Sequence, residues 1–118
     1  MMGILVDYGM CCQTVTVYRK RGGAIERTVL PGCFLRWKEE AEYTRTGRRQ
    51  ERKFLLIQPG QRQEVFPGDR VLEGVGPEIT PEEWARFLPV QVPNLGEVAY
   101  AEGFYWQNTF CHTEAGRR

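Results

Sequence analysis

Residues 13–20 (QTVTVYRK) alternate, with Val15 and Val17 on one face and Thr14, Thr16 and Tyr18 on the other. A period of two in a run rich in β-branched residues predicts a half-buried strand. Arg21-Gly22-Gly23 supplies a turn, because glycine reaches positive φ without steric cost, and residues 25–30 (IERTVL) return to complete a hairpin. Pro31-Gly32 predicts a break, after which residues 33–38 restart with Cys33, Leu35 and Trp37 on one face. Residues 53–58 (KFLLIQ) hold four consecutive apolar positions, which predicts a strand covered on both sides.

Between those last two runs the pattern fails. Residues 38–53 have no apolar face apart from Ala41 and Tyr43. Their charge is ordered: Glu39, Glu40 and Glu42 come first, then Arg45, Arg48, Arg49, Arg52 and Lys53. A small domain has little use for such an arm in its own core. The segment reads as an extended hairpin or a loop, tipped near Thr46-Gly47-Arg48, through which the protein touches something else.

Further on, Pro59-Gly60 and Pro67-Gly68 mark turns around residues 61–66, at most a short strand, and residues 68–75 (GDRVLEGV) read as turn plus strand. Thr80-Pro81-Glu82-Glu83 forms a capping box with proline at the first helical position. Trp84, Phe87 and Leu88 then give an apolar stripe until Pro89 stops the helix. A helix this short must plug an opening in the sheet structure. Residues 96–104 and 109–114 predict a closing pair of strands around a turn at 105–108, leaving 115–118 as a frayed tail. The result is a mainly β domain: a small antiparallel β-barrel or sandwich of about seven short strands, one short capping helix and a long charged hairpin or loop. Its parts are the first strands (13–37), the charged arm (38–53), middle strands (54–79), the short helix (80–89) and a C-terminal hairpin (96–114).

Composition agrees with one globular domain: 118 residues, 42% hydrophobic and 12% aromatic. A net charge of +1 offers no global basic field, so a nucleic-acid partner must rest on local clustering. Cys11, Cys12, Cys33 and Cys111 lack both disulfide-framework and zinc spacing, and read as free thiols in a reducing compartment. The apolar start, MMGILVDYGMCC, lacks a basic leader and is too short to span a bilayer, so neither secretion nor membrane insertion is expected.

Catalytic candidates are few. With His112 the only histidine, acid–base chemistry must lean on carboxylates, yet Glu82 and Glu83 suit a first helical turn and Asp69 suits a turn. Cys111 and His112 are neighbours on a strand and point to opposite faces, which makes a poor nucleophile pair. No phosphate-loop, nucleophile-elbow or metal-protease motif occurs. The chain therefore reads as a non-enzyme without cofactor or metal. Tyr100, Phe104, Tyr105, Trp106 and Phe110 crowd the last hairpin, and without interleaved Arg or Lys they read as core packing in preference to a base-stacking platform.

Three readings remain for the arm. It is a solvated hairpin, an inter-subunit contact in which the acidic limb of one copy faces the basic limb of the next, or a DNA-backbone contact made by the basic limb, residues 45–53.

The order of segments resembles a known family. A TVTVY strand, RTVLPGCF, FLLIQP, PGDRVLEGV and a closing VAYAEGFYWQNTFCHTEAGRR together are similar to small neck proteins of tailed bacteriophages and prophages, of the head-completion or stopper-like kind. The likeness covers residues 14–117. It implies a small β-barrel forming a homo-oligomeric ring, such as a hexamer, beneath portal and adaptor proteins. Such a ring retains genomic DNA in its channel and docks tail proteins. It implies residence in the virion neck after assembly in the bacterial cytoplasm, with no membrane, no cofactor and no catalysis. Glu39, Glu40, Glu42, Arg45, Arg48, Arg49, Arg52 and Lys53 would then reach a neighbouring copy or the channel. A tail-completion protein and a small nucleic-acid-binding barrel are the alternatives.

Overall fold

A computed structural model describes residues 8–44 and 47–118, with side chains described for residues 8–38 and 53–118. The chain forms β1 (Gln13–Arg21), β2 (Ala24–Thr44), β3 (Gly47–Pro59), β4 (Arg70–Glu73), a 3₁₀ helix (Pro81–Arg86), β5 (Leu95–Glu97), β6 (Tyr100–Trp106) and β7 (Thr109–Arg117). All seven strands join one antiparallel sheet in the order β5-β4-β1-β2-β3-β7-β6.

The two ends of that order are consecutive in the chain. Only Val98 and Ala99 separate β5 from β6, so the sheet must curl until its edges meet. Val98 N donates to Asp69 O (2.8 Å) beside β4, and Ala99 N donates to Gly116 O (2.8 Å) on β7. The expected mainly β, barrel-like domain is thus what forms, and curling leaves few bare edges to pair with other chains.

Alternation sorts the side chains. Val15, Val17, Cys33, Leu35, Phe54, Leu56, Val71 and Ala115 point inward to the main core, joined by Val65 and Val98. A second cluster lies on the outer face of β1, β4 and β5, where Tyr18, Leu72 and Leu95 meet Phe87, Trp84, Ile79 and Val92. The helical segment therefore covers the outside of the sheet and does not plug an opening. For the same reason β1 is buried on both faces over residues 15–18, not half-buried.

Other expectations are corrected by tertiary context. Pro31-Gly32 does not end a strand: β2 runs through it, with the register slipping between Gln13–Cys33 and Val15–Leu30 and Gly32 at φ 69°. Such a bulge absorbs the extra residues and bends the strand. Residues 61–66 form no strand. The run 54–57 is buried only on its Phe54 and Leu56 face, while Leu55 and Ile57 are half-buried on the other. The final residues are not frayed. β7 extends to Arg117, Ala115 is fully buried, and a Cβ at Gly116 would collide with the Phe54 carbonyl.

The helix keeps its predicted start. Thr80 Oγ1 accepts from Glu83 N (3.3 Å), and Glu83 Oε1 accepts from Thr80 N (3.0 Å). Those bonds to Thr80, backbone first, hold the Glu83 carboxyl below its usual range. The helix is 3₁₀ and ends at Arg86, shorter than the apolar stripe suggested.

Candidate interaction site

The charged arm is a hairpin. β2 and β3 stay paired from Phe34–Ile57 out to Thr44–Gly47, and the two residues between lie outside the described ones. β7, the other neighbour of β3, stops at the Phe54–Arg117 pair. On the far side, β1 leaves β2 at Cys33. Residues 38–53 therefore form a two-stranded ribbon with no third strand beside it, an arrangement of marginal stability by itself.

Register places the charges. Glu39 is opposite Arg52 and Glu42 is opposite Arg49, whereas Glu40 is opposite Glu51 and Arg48 is opposite Tyr43. The acidic and basic limbs thus align within one hairpin, and opposite charges at paired positions support an antiparallel ribbon. Of the predicted contact residues, Glu39, Glu40, Glu42, Arg48, Arg49 and Arg52 are placed by their backbone alone, and Arg45 lies outside the described residues. Only Lys53 has a described side chain, and it is half-buried.

At the base of the ribbon the outer face of β2, β3, β7 and β6 forms a shallow depression of about 540 Å³. Arg36 and Lys38 enter from β2, Lys53 from β3, and Arg117 and Arg118 from the end of β7, against one carboxylate among the described side chains, Glu114. Leu55 and Tyr100 make its floor, and the Arg118 guanidinium lies 4.0 Å from the centre of the Tyr100 ring. Arg117 turns away to Glu97, whose Oε1 lies 3.3 Å from Nη2. The grouping escaped sequence reading because it draws on strands far apart in the chain. Only the alternation of Arg36 and Lys38 against Leu35 and Trp37 hinted at it.

A second ribbon leaves the opposite end. β3–β7 pairing finishes at Pro59–His112, and beyond it β6 and β7 continue alone to a two-residue turn at Gln107 and Asn108 (φ 48° and 65°). Both residues in left-handed geometry match the right-handed twist of a hairpin. The aromatics of this ribbon are not core: Phe104, Tyr105 and Trp106 are exposed. Core packing was the expectation, and it fails because, among the described residues, no strand or helix lies over this tip. Tyr105 meets Phe110 edge-on (5.5 Å), and Phe104 stacks on His112 (4.9 Å, 15°).

Tyr8 closes over the same imidazole, its Oη 2.7 Å from His112 Nδ1. Burial lowers the His112 pKa, opposed by Glu114. Cys111 is the bulged residue, skipped between the Phe104–His112 and Tyr105–Phe110 pairs, and its Sγ donates to Thr109 O (3.6 Å). All four cysteines are free thiols. Cys33 is fully buried, which together with the nearby Cys11 pushes its pKa up to about 12, so it is inert as a nucleophile at neutral pH. Among the described residues no group of three His, Cys, Asp or Glu is placed to hold a metal ion, and no helix is long and apolar enough to cross a membrane.

No protein-family model, curated protein or solved structure matches the chain.

Proposed function

We propose that this protein is a structural assembly subunit that uses the β2–β3 ribbon to bridge to its neighbours. The setting the family resemblance favours is a ring at the head–tail joint of a phage, of the stopper or head-completion type. The observation that carries the reading is the ribbon itself. Sixteen residues, 38–53, continue the hairpin past the last strand able to flank it. An isolated two-stranded ribbon gains little stability alone, so a partner surface accounts for its length. The in-register alignment of acidic and basic limbs refines how neighbours would meet: each ribbon presents both signs, and a heterologous contact closes a ring when the rotation between copies closes.

The test is assembly in the presence of the portal, adaptor and tail proteins of the same genome, followed by mass measurement and electron microscopy. Wild type should form a closed ring on that platform. Arg48→Glu combined with Arg49→Glu should abolish the ring while the unfolding free energy falls by no more than about 1 kcal/mol, the cost of setting Glu opposite Glu42. A protein that stays monomeric on every platform, or a variant that assembles normally, would sink the reading.

A further inference from the structure

We infer that the depression at the base of the ribbon is a sequence-independent binding site for a nucleic-acid phosphate backbone, centred on Arg36, Lys38, Lys53 and Arg118. The inference uses side chains outside the ribbon's charged limbs, apart from Lys53, and does not depend on ring formation.

The first support is how arginines are used across the molecule. Arg19 binds Asp69, Arg21 lies by Glu26, Arg27 donates to Gly76 O, and Arg62 lies by Glu64. Arg70 donates to Trp84 O and Phe87 O, and Arg117 pairs with Glu97. Among the described residues, Arg36, Arg86 and Arg118 make no ion pair and no hydrogen bond to an acceptor, and two of these three, Arg36 and Arg118, line this one depression. Arg118 is instead held against Tyr100 by cation–π attraction, which fixes its position and leaves its fork of donors for a ligand.

The second support is spacing. Lys38 and Lys53 are register partners on adjacent strands, Leu55 is opposite Arg36 and also opposite Gly116, and Arg36 lies two residues from Lys38. The four cations therefore occupy a patch about 7 Å along the strands and about 10 Å across three of them. Arg36 and Arg118 stand at opposite sides of this patch, too far apart for one small anion to meet both, whereas a polymer with a regularly repeated charge can.

The third support is what the surface cannot do. β3 and β7 are paired on both sides where they form this face, so a peptide could add as a strand only along the open edge of β2 beyond Cys33, which is remote from Arg118 on the far side of β3. A face that offers only charge, guanidinium forks and a flat Leu55–Tyr100 floor can position a phosphate backbone without reading bases.

The experiment is a salt titration of the purified full chain with a fluorescein-labelled DNA duplex and the matching single strand, read by anisotropy. Wild type should bind, with log K falling linearly against log salt. Arg36→Glu with Arg118→Glu should weaken binding at least about 10-fold at low salt and reduce the slope by about two. The control is Arg21→Glu with Arg62→Glu, an equal charge change at residues 70% and 84% exposed elsewhere, and it should lose less than about 3-fold. Should the reversed pair fail to fold, Arg36→Gln with Arg118→Gln replaces it. Absence of salt-dependent binding by wild type, or equal losses in both pairs, overturns the site. So does poly-glutamate bound as tightly as DNA with the same dependence on Arg36 and Arg118, which would assign the face to an acidic protein. None of these readouts reports on ring assembly, so this inference and the proposed function fail separately.

Discussion

Two outer walls of the same sheet use arginine in opposite ways. On the wall of β1, β4 and β5, a covering segment of irregular backbone runs over the strands, and arginines turn inward to it. Arg27, from the adjoining start of β2, donates to Gly76 O, and Arg70 donates to Trp84 O and Phe87 O while lying 3.8 Å from the centre of the Trp84 ring. On the wall of β2, β3, β7 and β6, no described segment lies over Arg36 or Arg118. The difference follows from where backbone acceptors are left over. A short 3₁₀ helix and its exits leave carbonyls that no ladder satisfies, and a planar guanidinium can meet two at once. On the bare wall β3 and β7 are laddered on both sides and the open edge of β2 beyond Cys33 lies in the plane of the sheet, so no leftover carbonyl stands over the face. Arg36 and Arg118, with no ion pair among the described residues, contribute little to the fold.

The largest expected effect is at Asp69, where an arginine paired beneath the sheet, Arg19, can be set against the bare Arg36. Its carboxylate is 1% exposed, takes both donors of the Arg19 fork and also accepts from Phe66 N (2.9 Å). The hydrogen bond to Asp69 is also the main cause raising the Arg19 pKa. Asp69→Ala strands a partly buried guanidinium and an amide. It should cost about 3 kcal/mol in urea unfolding, at the low end for a broken buried pair because Arg19 keeps some solvent. Arg36→Ala on the bare wall should cost less than about 0.5 kcal/mol. Similar losses at the two positions would mean that the bare arginine supports the fold as much as the paired one does.

Next in size is Tyr18→Phe. The Tyr18 ring is fully buried against Phe87, and its hydroxyl donates to Pro77 O at 2.6 Å. Burial, the leading influence, raises the phenol pKa although Arg27 opposes it, so the group stays neutral and donating well above neutral pH. Removing the hydroxyl keeps the packing and deletes one anchor of the covering segment, for a loss of about 1 kcal/mol. Amide exchange should speed first at Gly76, which donates to Thr16 Oγ1 (2.8 Å), and in the helix beyond. Uniform acceleration across the sheet would show instead that the segment is not a separable cover.

The contrast between walls also separates what was legible in the sequence from what was not. Alternation at Val15–Val17 and Cys33–Leu35–Trp37 reports the inward face directly, because period two is a property of the strand alone. Turn chemistry at Gly22 and Gly74, and the capping box at Thr80, depend on a few neighbouring residues and were equally readable. What lies outside a strand depends on distant segments. Tyr18 has the same alternation as an exposed residue, and only the arrival of Phe87, nearly 70 residues later, buries it. The basic depression assembles Arg36, Lys53 and Arg118 through β2–β3 and β3–β7 register, which no local window contains. The arm was conspicuous because its charge pattern is local, but the pairing of Glu39 with Arg52 and of Glu42 with Arg49 needed the register. The exposed aromatics misled because side-chain type alone suggests burial, while β3 ends at Pro59 and leaves their hairpin without a neighbour.

The smallest predicted effect lies at the far end of the bare wall, where a part of it is covered after all. Tyr8 and Phe104 enclose His112, and burial outweighs the favourable charge of Glu114 to lower the imidazole pKa below its unfolded value near 6.5. The unfolded chain then binds a proton more readily than the folded one over that window. The stabilisation is complete above the unfolded pKa and is lost as pH falls through the folded value. Unfolding free energies of wild type and His112→Gln, measured from pH 8 to pH 5, should converge as the pH drops. Tyr8→Phe should shrink the difference at pH 8 by removing the 2.7 Å contact to Nδ1. A wild-type advantage that instead grew on acidification would mean the folded state holds the imidazolium, through Glu114, and that this end of the wall is a charged surface like the other.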